Sequence, residues 1–439
     1  MRIRDWCAVV SFGACVAIAA APAFAASLED ELAGLIRDHP NIQAASKTVE
    51  SQRQEVKRVM SDFLPRLQAS SEVTYEHINS PAERNAGDGQ EGKPSSRTAQ
   101  RASLAMSQNL FNGFQTTSQV RTARLNKELA QLTLEGTRQT TVFEGITAYV
   151  NVLRQLRLIE LALENEATIQ EQLNLEDERV QRGSGVAVDV LQAKSRLQVA
   201  KERRVTFEGA LQDAISRYTQ TYNHPPTIDS MMDPAPPIEM VPSDLDRAID
   251  AALVDNPAIA NSGITIEVAR ERQRAVRGEL FPSIDMESRY AFEKNAGAVL
   301  GTRRDYTMTV RATWDLFTGF STRNLMSQAA FNVGATKDQY EFTTRKIIEQ
   351  MKLSWQALMT ARERLQLLEN AVNIASEVFS SRQKLREAGK ETVINVLDSS
   401  NEVNNAQINF TSASYDERLA VYQVLLSMGL LNPSGLNMY

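Results

Sequence analysis

Histidine and cysteine, two residue types that commonly perform catalysis, are sparse in this chain of 439 residues. The histidines His39, His77 and His224 lie far apart, and no cysteine or carboxylate stands beside them at the spacing of a metal site. The cysteines Cys7 and Cys15 both lie close to the N-terminus. No G-x-S-x-G, phosphate-binding loop or H-E-x-x-H motif occurs. We therefore expect a protein that is not an enzyme and that uses no metal and no cofactor.

Charge and hydropathy limit the remaining classes. The formal net charge is -6, and lysines and arginines are interleaved with aspartates and glutamates. A nucleic-acid-binding protein needs a basic face, so this class is excluded. A negative mean hydropathy does not exclude a membrane β-barrel, because only half of each strand is apolar.

The N-terminal segment 1–25 predicts a secretory signal peptide. Two arginines precede an apolar run at 8–21, and an A-x-A motif at 23–25 is typical of a cleavage site. The apolar run is shorter than the ~20 residues that a membrane-spanning helix needs. Lipidation at Cys15 is an alternative, although the run continues past Cys15 and favours cleavage after Ala25. We expect the mature chain to be exported.

The mature chain is a tandem repeat. Pro40 and Pro65 recur with one common offset as Pro257 and Pro282, and the motif Leu-Phe-x-Gly-Phe at 110–114 recurs at 316–320. A proline-rich segment separates the halves and predicts an extended linker. The predicted boundaries are a first repeat at 26–223, a linker at 224–242, a second repeat at 243–431 and a tail at 432–439.

Each repeat combines a strand hairpin with a long helix hairpin. Apolar and polar residues alternate at 66–111 and 283–317, which predicts strands. Seven-residue periods then predict coiled-coil helix hairpins at 115–222 and 321–430. Four strands cannot close a barrel, and open sheet edges in lipid leave backbone groups unpaired. Because membrane barrels begin at about eight strands, a barrel requires several chains, and three chains provide twelve strands.

The Leu-Phe-x-Gly-Phe motifs mark the change from strand to helix. Glycine allows the chain to bend there, and the apolar side chains are expected to lie at the edge of the lipid. The predicted transition residues are Leu110, Phe111, Gly113, Leu316, Phe317 and Gly319.

Together, the signal peptide, the duplication, the proline pairs, the Leu-Phe-x-Gly-Phe motifs and the glycine helix breaks resemble the TolC family of outer-membrane efflux and secretion channels. The resemblance covers the whole mature chain. It implies a mixed α/β membrane protein, a homotrimer with a twelve-stranded β-barrel in outer-membrane lipid and a long α-helical tunnel in the periplasm. It also implies two partners: a periplasmic adaptor and an inner-membrane pump, either an ABC transporter or a proton-driven pump.

The resemblance places a gate at the helix tips. The family has two aspartates three residues apart on one helix face there; here Asp398 matches and Asn395 departs. Arg386 and Glu391 align with the family's closing contacts, and ion pairs are expected to replace those contacts, with the partners left open. The helix-tip turns and adaptor-docking positions are predicted at Gly183, Gly185, Val186, Gly389 and Thr392.

Two alternatives remain open at this stage. A soluble periplasmic coiled-coil adaptor or scaffold explains the helices but not the four alternating runs. Within the channel class, the sequence leans weakly toward type I protein secretion over multidrug efflux.

Overall fold

The computed structural model describes residues 28–79, 95–183, 186–296 and 301–432. The predicted signal peptide at 1–25, with Cys15, lies outside these described residues, as do Gly185 and nearly all of the tail predicted at 432–439. Within the described ranges, no helix is both long and apolar enough to cross a bilayer.

The two halves of the chain contain the same elements in the same order. The first half has α1 (Leu28–Asp38), α2 (Pro40–Met60), β1 (Arg66–Ile78), β2 (Ser95–Asn112), α3 (Gln115–Gln181) and α4 (Ala187–Tyr222). The second half has α5 (Leu245–Asp255), α6 (Pro257–Arg277), β3 (Ser283–Lys294), β4 (Thr302–Thr313), α7 (Ser321–Glu387) and α8 (Val393–Met428). Each half thus has two strands followed by a hairpin of long helices, which confirms the predicted mixed α/β chain with four strands in a tandem repeat.

The repeated proline pairs begin equivalent helices. Pro40 and Pro257 are the first residues of α2 and α6, where a missing N–H costs nothing. The residue before each proline caps the helix: His39 Nδ1 accepts from the Asn41 amide at 3.3 Å, and Asn256 Oδ1 accepts from the Ala258 amide at 2.9 Å. The same chemistry therefore starts the second helix of each repeat.

The strands form one antiparallel sheet in the order β1-β2-β3-β4. Alternation gives this sheet two faces, which we call the apolar face and the charged face. Leu67, Tyr306 and Met308 lie on the apolar face and are more than half exposed. A contiguous exposed apolar surface of this kind marks an interaction site with membrane or protein.

The two strand-to-helix junctions differ. Leu110 is skipped in the register between β2 and β3, so it forms a β-bulge just before Phe111. The second hairpin was predicted to extend to residue 317, which is wrong: β4 ends at Thr313, and Leu316 and Phe317 follow unpaired, 80% and 75% exposed. The reason is that β2 has β3 as a neighbour as far as Asn112, whereas β4 lies at the sheet edge.

The helices form a row and a shared core. Along the row α2 packs on α3, α3 on α6, and α6 on α7, while α3 and α7 each pair with their own hairpin partner, α4 and α8. Buried residues such as Tyr149, Met351 and Leu358 join both repeats in one core. Tyr149 also holds the linker, because its hydroxyl is hydrogen-bonded to both the amide and the carbonyl of Met232 at 3.0 Å. The linker is thus fixed against the helical body.

Candidate functional site at the helix tips

The helix hairpins turn at the end of the molecule opposite the sheet. Gly183 and Gly389 have φ values of +75° and +70°, and no atom lies within 4 Å of a Cβ built at either position. The left-handed backbone, not crowding, therefore requires glycine at these two turns. Thr392 caps α8 by accepting from the Asn395 amide at 3.4 Å, whereas Val186 precedes α4 with no side-chain cap.

An apolar cluster joins the two hairpins behind these turns. Its members come from α3, α4 and α8: Ile169, Leu173, Val190, Ala193, Leu197, Ala200, Val393 and Leu397. Because the cluster draws on both repeats, separating the hairpin tips would expose these side chains to water.

Asp398, the predicted gate aspartate, is paired with an arginine of the other repeat. Arg196 on α4 donates to its carboxylate at 2.6 Å, and the two side chains are 47% and 45% exposed. Pairs this exposed contribute roughly 0–1 kcal/mol. The contact therefore positions Asp398 and neutralises its charge more than it holds the tips together.

The buried link between the tips is made by Arg386. This side chain is 22% exposed and donates to the carboxylate of Glu176 on α3, which is 3% exposed. A second guanidinium, from Arg179, reaches Glu176 at 3.0 Å. A second hydrogen bond of Arg386 goes to the backbone carbonyl of Glu391 at 3.1 Å. One buried carboxylate thus connects α3 of the first repeat to α7 of the second.

Glu391 itself interacts within its own turn. Its carboxylate accepts from the side-chain amide of Asn395 and from the backbone amide of Thr392 at 3.0 Å. These two hydrogen bonds, that of Asn395 first, lower the pKa of Glu391 below its ordinary value. Asn395 therefore stabilises the start of α8, next to the ion-paired Asp398.

The structure adds Glu176, Arg179 and Arg196 to the residues expected from sequence. Glu176 and Arg196 could not be singled out from the sequence, because their contacts with Arg386 and Asp398 reach the other helix hairpin. Arg179 stands three residues after Glu176 on the same helix, but this spacing is common on exposed helix faces and indicates no site by itself. Across the described residues, no group of three or more His, Cys, Asp or Glu side chains is placed to hold a metal ion.

A sheet with one apolar face, joined to long helices whose tips are linked by ion pairs and an apolar cluster, is the architecture of a membrane channel with a helical extension. Residues 34–221 and 248–430 match the family model described as Outer membrane efflux protein, and the chain belongs to this family. It is an outer-membrane protein with a periplasmic extension.

Known relatives agree with this assignment. The chain is 21% identical to outer membrane protein TolC of Escherichia coli, over 91% of its own length and 81% of that relative. It is 22% identical to the alkaline protease secretion protein AprF of Pseudomonas aeruginosa, over 100% of its own length and 90% of that relative. The solved structure of the CmeC outer membrane channel of Campylobacter jejuni has a TM-score of 0.79 at 13% identity, covering 93% of this chain and 88% of that chain. The expected TolC-family membership is confirmed, and a soluble scaffold does not account for these matches.

Proposed function

We propose that three copies of this chain form an exit duct through the outer membrane, closed at the helix tips until partner proteins engage them. The observation that carries the proposal is that the outer edges of strands β1 and β4 are unpaired in the described chain. The equivalent edges of β2 and β3 pair with each other and join the two repeats.

The sheet has two open edges. In the described strands, β2 pairs with β3 across the repeat boundary, while the outer edges of β1 and β4 have no neighbour. Unpaired backbone groups are not tolerated in lipid. A second copy that places its β1 beside β4 would repeat the β2–β3 contact and close the ladder.

The strand-to-helix junctions point to the same contact. A Cβ at Gly113 would overlap the carbonyl oxygen of Gly278, at the end of α6. At the equivalent Gly319, no atom lies within 4 Å of a Cβ built on the backbone. The repeat offset makes Ser61 the counterpart of Gly278. The backbone missing beside Gly319 is therefore supplied by Ser61 of a neighbouring copy.

Aromatic packing repeats this asymmetry at one of the two rings. Phe111 and Phe114 pack edge to face on Phe281, with ring centroids 6.5 Å from it, and Phe111 is partly buried there. Phe317, the counterpart of Phe111, packs only on Phe320, with ring centroids 5.5 Å apart, and is 75% exposed. A neighbouring copy would cover Phe317 in the way that Phe281 covers Phe111.

The long helix α7 presents a matching surface to a neighbour. Exposed apolar side chains recur along it at intervals that are each close to a whole number of helical turns. They form one stripe, which we call the α7 stripe: Phe331, Phe342, Leu353, Leu367, Ile374 and Leu385. A helix with such a stripe needs a partner helix, and a second copy of the chain provides one.

The choice of three copies follows the family resemblance, since three four-stranded sheets give the expected twelve-stranded barrel. Closure at the tips is then due to the Glu176–Arg386 link and the apolar cluster. Val186 and Thr392, at the turns, are the positions we assign to contact with a periplasmic adaptor and its inner-membrane pump.

For the cargo, we propose secreted protein, since the match to a protease secretion protein spans the whole chain and most of that relative. The family description favours small-molecule efflux as the second candidate. Photo-crosslinkers at Val186 and Thr392 in living cells test both. Capture of an adaptor together with an ABC transporter supports secretion, a proton-driven pump supports efflux, and capture of neither contradicts the duct.

A further inference from the structure

Charges are segregated between the two faces of the sheet. On the charged face, the cross-strand row Glu72, Arg101, Glu293 and Arg303 alternates in sign over all four strands. Ion pairs form along this face, for example between Arg303 and Asp305 at 2.7 Å. Cations on this face are thus compensated by neighbouring carboxylates.

The apolar face has a different composition. Its register positions in the described strands include no carboxylate, and Lys294 and Arg304 are its only lysine and arginine. Both lie at the end of the sheet farthest from the helices. Lys294 stands opposite Thr302, so Arg304 is its diagonal neighbour, roughly 7–8 Å away between Cα atoms. Neither side chain has an ion-pair partner among the described residues.

The position of these cations matches one boundary of a membrane. Ile284, at the start of β3, and Lys294, at its end, are separated by about 33 Å along the strand at about 3.3 Å per residue. At a tilt of about 40°, this is about 25 Å along the membrane normal, the height of the apolar band of a membrane barrel. With the helices in the periplasm, Lys294 and Arg304 lie at the outer boundary of the lipid.

Aromatic residues adjoin the cations on the side of the membrane interior. Phe292 stands opposite Arg304, and Tyr290 stands opposite Tyr306. Aromatic side chains at this level are typical of the interface between headgroups and acyl chains. The surface therefore combines two cations that have no ion-pair partner in the described part of the chain with an apolar surface directly below them.

We propose that Lys294 and Arg304 form a binding site for a phosphate-bearing lipid of the outer leaflet. The guanidinium of Arg304 holds a phosphate through paired hydrogen bonds, and the ammonium of Lys294 adds a second charge. The acyl chains lie along Phe292 and the tyrosines. Free phosphate would leave this apolar surface uncovered, whereas a lipid buries it, and that burial favours a lipid as the occupant.

The test compares charge removal on the two faces. The full-length protein is purified from outer membranes in mild detergent, and bound phosphorylated glycolipid per chain is measured by mass spectrometry. The site variant is Lys294→Gln/Arg304→Gln. The matched control is Arg289→Gln/Arg303→Gln, which removes two cations from the charged face of the same strands. A charge-preserving variant, Lys294→Arg/Arg304→Lys, completes the set.

We expect the site variant to retain about tenfold less phosphorylated lipid, since each lost charge-assisted contact weakens binding. The control is expected to match the wild type. The charge-preserving variant keeps both charges but moves the guanidinium to the other strand, so it is expected to retain more lipid than the site variant. Equal retention in the site variant, or an equal loss in the control, would overturn the proposal. If the double variant is poorly recovered, the single variants Arg304→Gln and Lys294→Gln serve instead.

A second arm identifies the source of the phosphate. Protein stripped of lipid is offered the purified glycolipid, the same lipid after dephosphorylation, and inorganic phosphate as a competitor. Binding of the intact lipid alone, unaffected by millimolar phosphate, is the expected result. Displacement by inorganic phosphate, or equal binding of the dephosphorylated lipid, would contradict a lipid site.

Discussion

Removal of Arg386 should open the tips far more readily than removal of Asp398. The reason is burial: Glu176, the partner of Arg386, is 3% exposed, whereas Asp398 and its partner Arg196 are both about half exposed. Loss of one partner of a buried pair typically costs ~3–5 kcal/mol, because a buried charge is left uncompensated. Loss of an exposed pair costs roughly 0–1 kcal/mol.

The free-energy cost of removing Arg386 is expected to be smaller than the ~3–5 kcal/mol typical of a broken buried ion pair. Arg179 stays beside Glu176 at 3.0 Å after the substitution and compensates part of its charge. We therefore expect Arg386→Gln to destabilise the closed state by about 1.5–3 kcal/mol, a shift of roughly 10- to 150-fold toward the open state. For Asp398→Asn, the expected shift is at most about fivefold.

Open probability in planar bilayers measures this difference. Arg382→Gln is the matched control, since Arg382 lies on the same helix end and donates a hydrogen bond to the Asn395 carbonyl at 3.0 Å instead of to Glu176. Arg386→Gln is expected to exceed both Asp398→Asn and Arg382→Gln. A larger effect of Asp398→Asn, or no effect of Arg386→Gln, would refute the role given to Glu176.

Three further predictions concern folding and assembly. Gly113→Ala should destabilise the single folded chain more than Gly319→Ala, because both substitutions strain a left-handed backbone but only Gly113→Ala adds a backbone clash within the chain. Gly319→Ala should in addition impair assembly. Thermal unfolding and native mass compare the two variants, and equal effects in both measurements would contradict the shared-interface argument. On the α7 stripe, Leu367→Glu should reduce the assembled fraction in native mass measurements, while the adjacent exposed Gln366→Glu should not; a fully assembled Leu367→Glu variant would count against the stripe. Burial, together with a hydrogen bond to a neighbouring carboxylate, raises the pKa of Tyr415 to about 12. Because the Tyr415 hydroxyl loses its proton more readily in the unfolded chain, the free energy of unfolding is at its full value below about pH 10 and falls by up to about 2–3 kcal/mol as pH rises toward 12. Tyr415→Phe should therefore flatten the loss of thermal stability between about pH 9.5 and 11.5. An unchanged slope of stability against pH would be inconsistent with this role of Tyr415.

Sequence periodicity predicted most of the fold because its signals are local. The long helix after the first motif was expected at about residue 115 and begins at Gln115. Strand alternation likewise placed β1 and β3 close to their observed starts. The end of β4 was not predictable in this way, because strand length at an edge depends on a neighbour and not on the pattern of Leu316 and Phe317.

The tip contacts were only partly predictable. Asp398 and Arg386 were singled out by resemblance, but their partners Arg196 and Glu176 lie 202 and 210 residues away. Which residues meet there depends on how two helix hairpins are aligned along their length. A pattern within one helix carries no information on that alignment, and the buried position of Glu176 follows from it.

Single-channel recording of the protein purified from outer membranes tests the central claim most directly. The account predicts discrete conductance steps of low open probability in the wild type, with a marked increase in open probability in Arg386→Gln. An absence of conductance steps in both proteins, at concentrations where the chains are assembled, would contradict the exit duct.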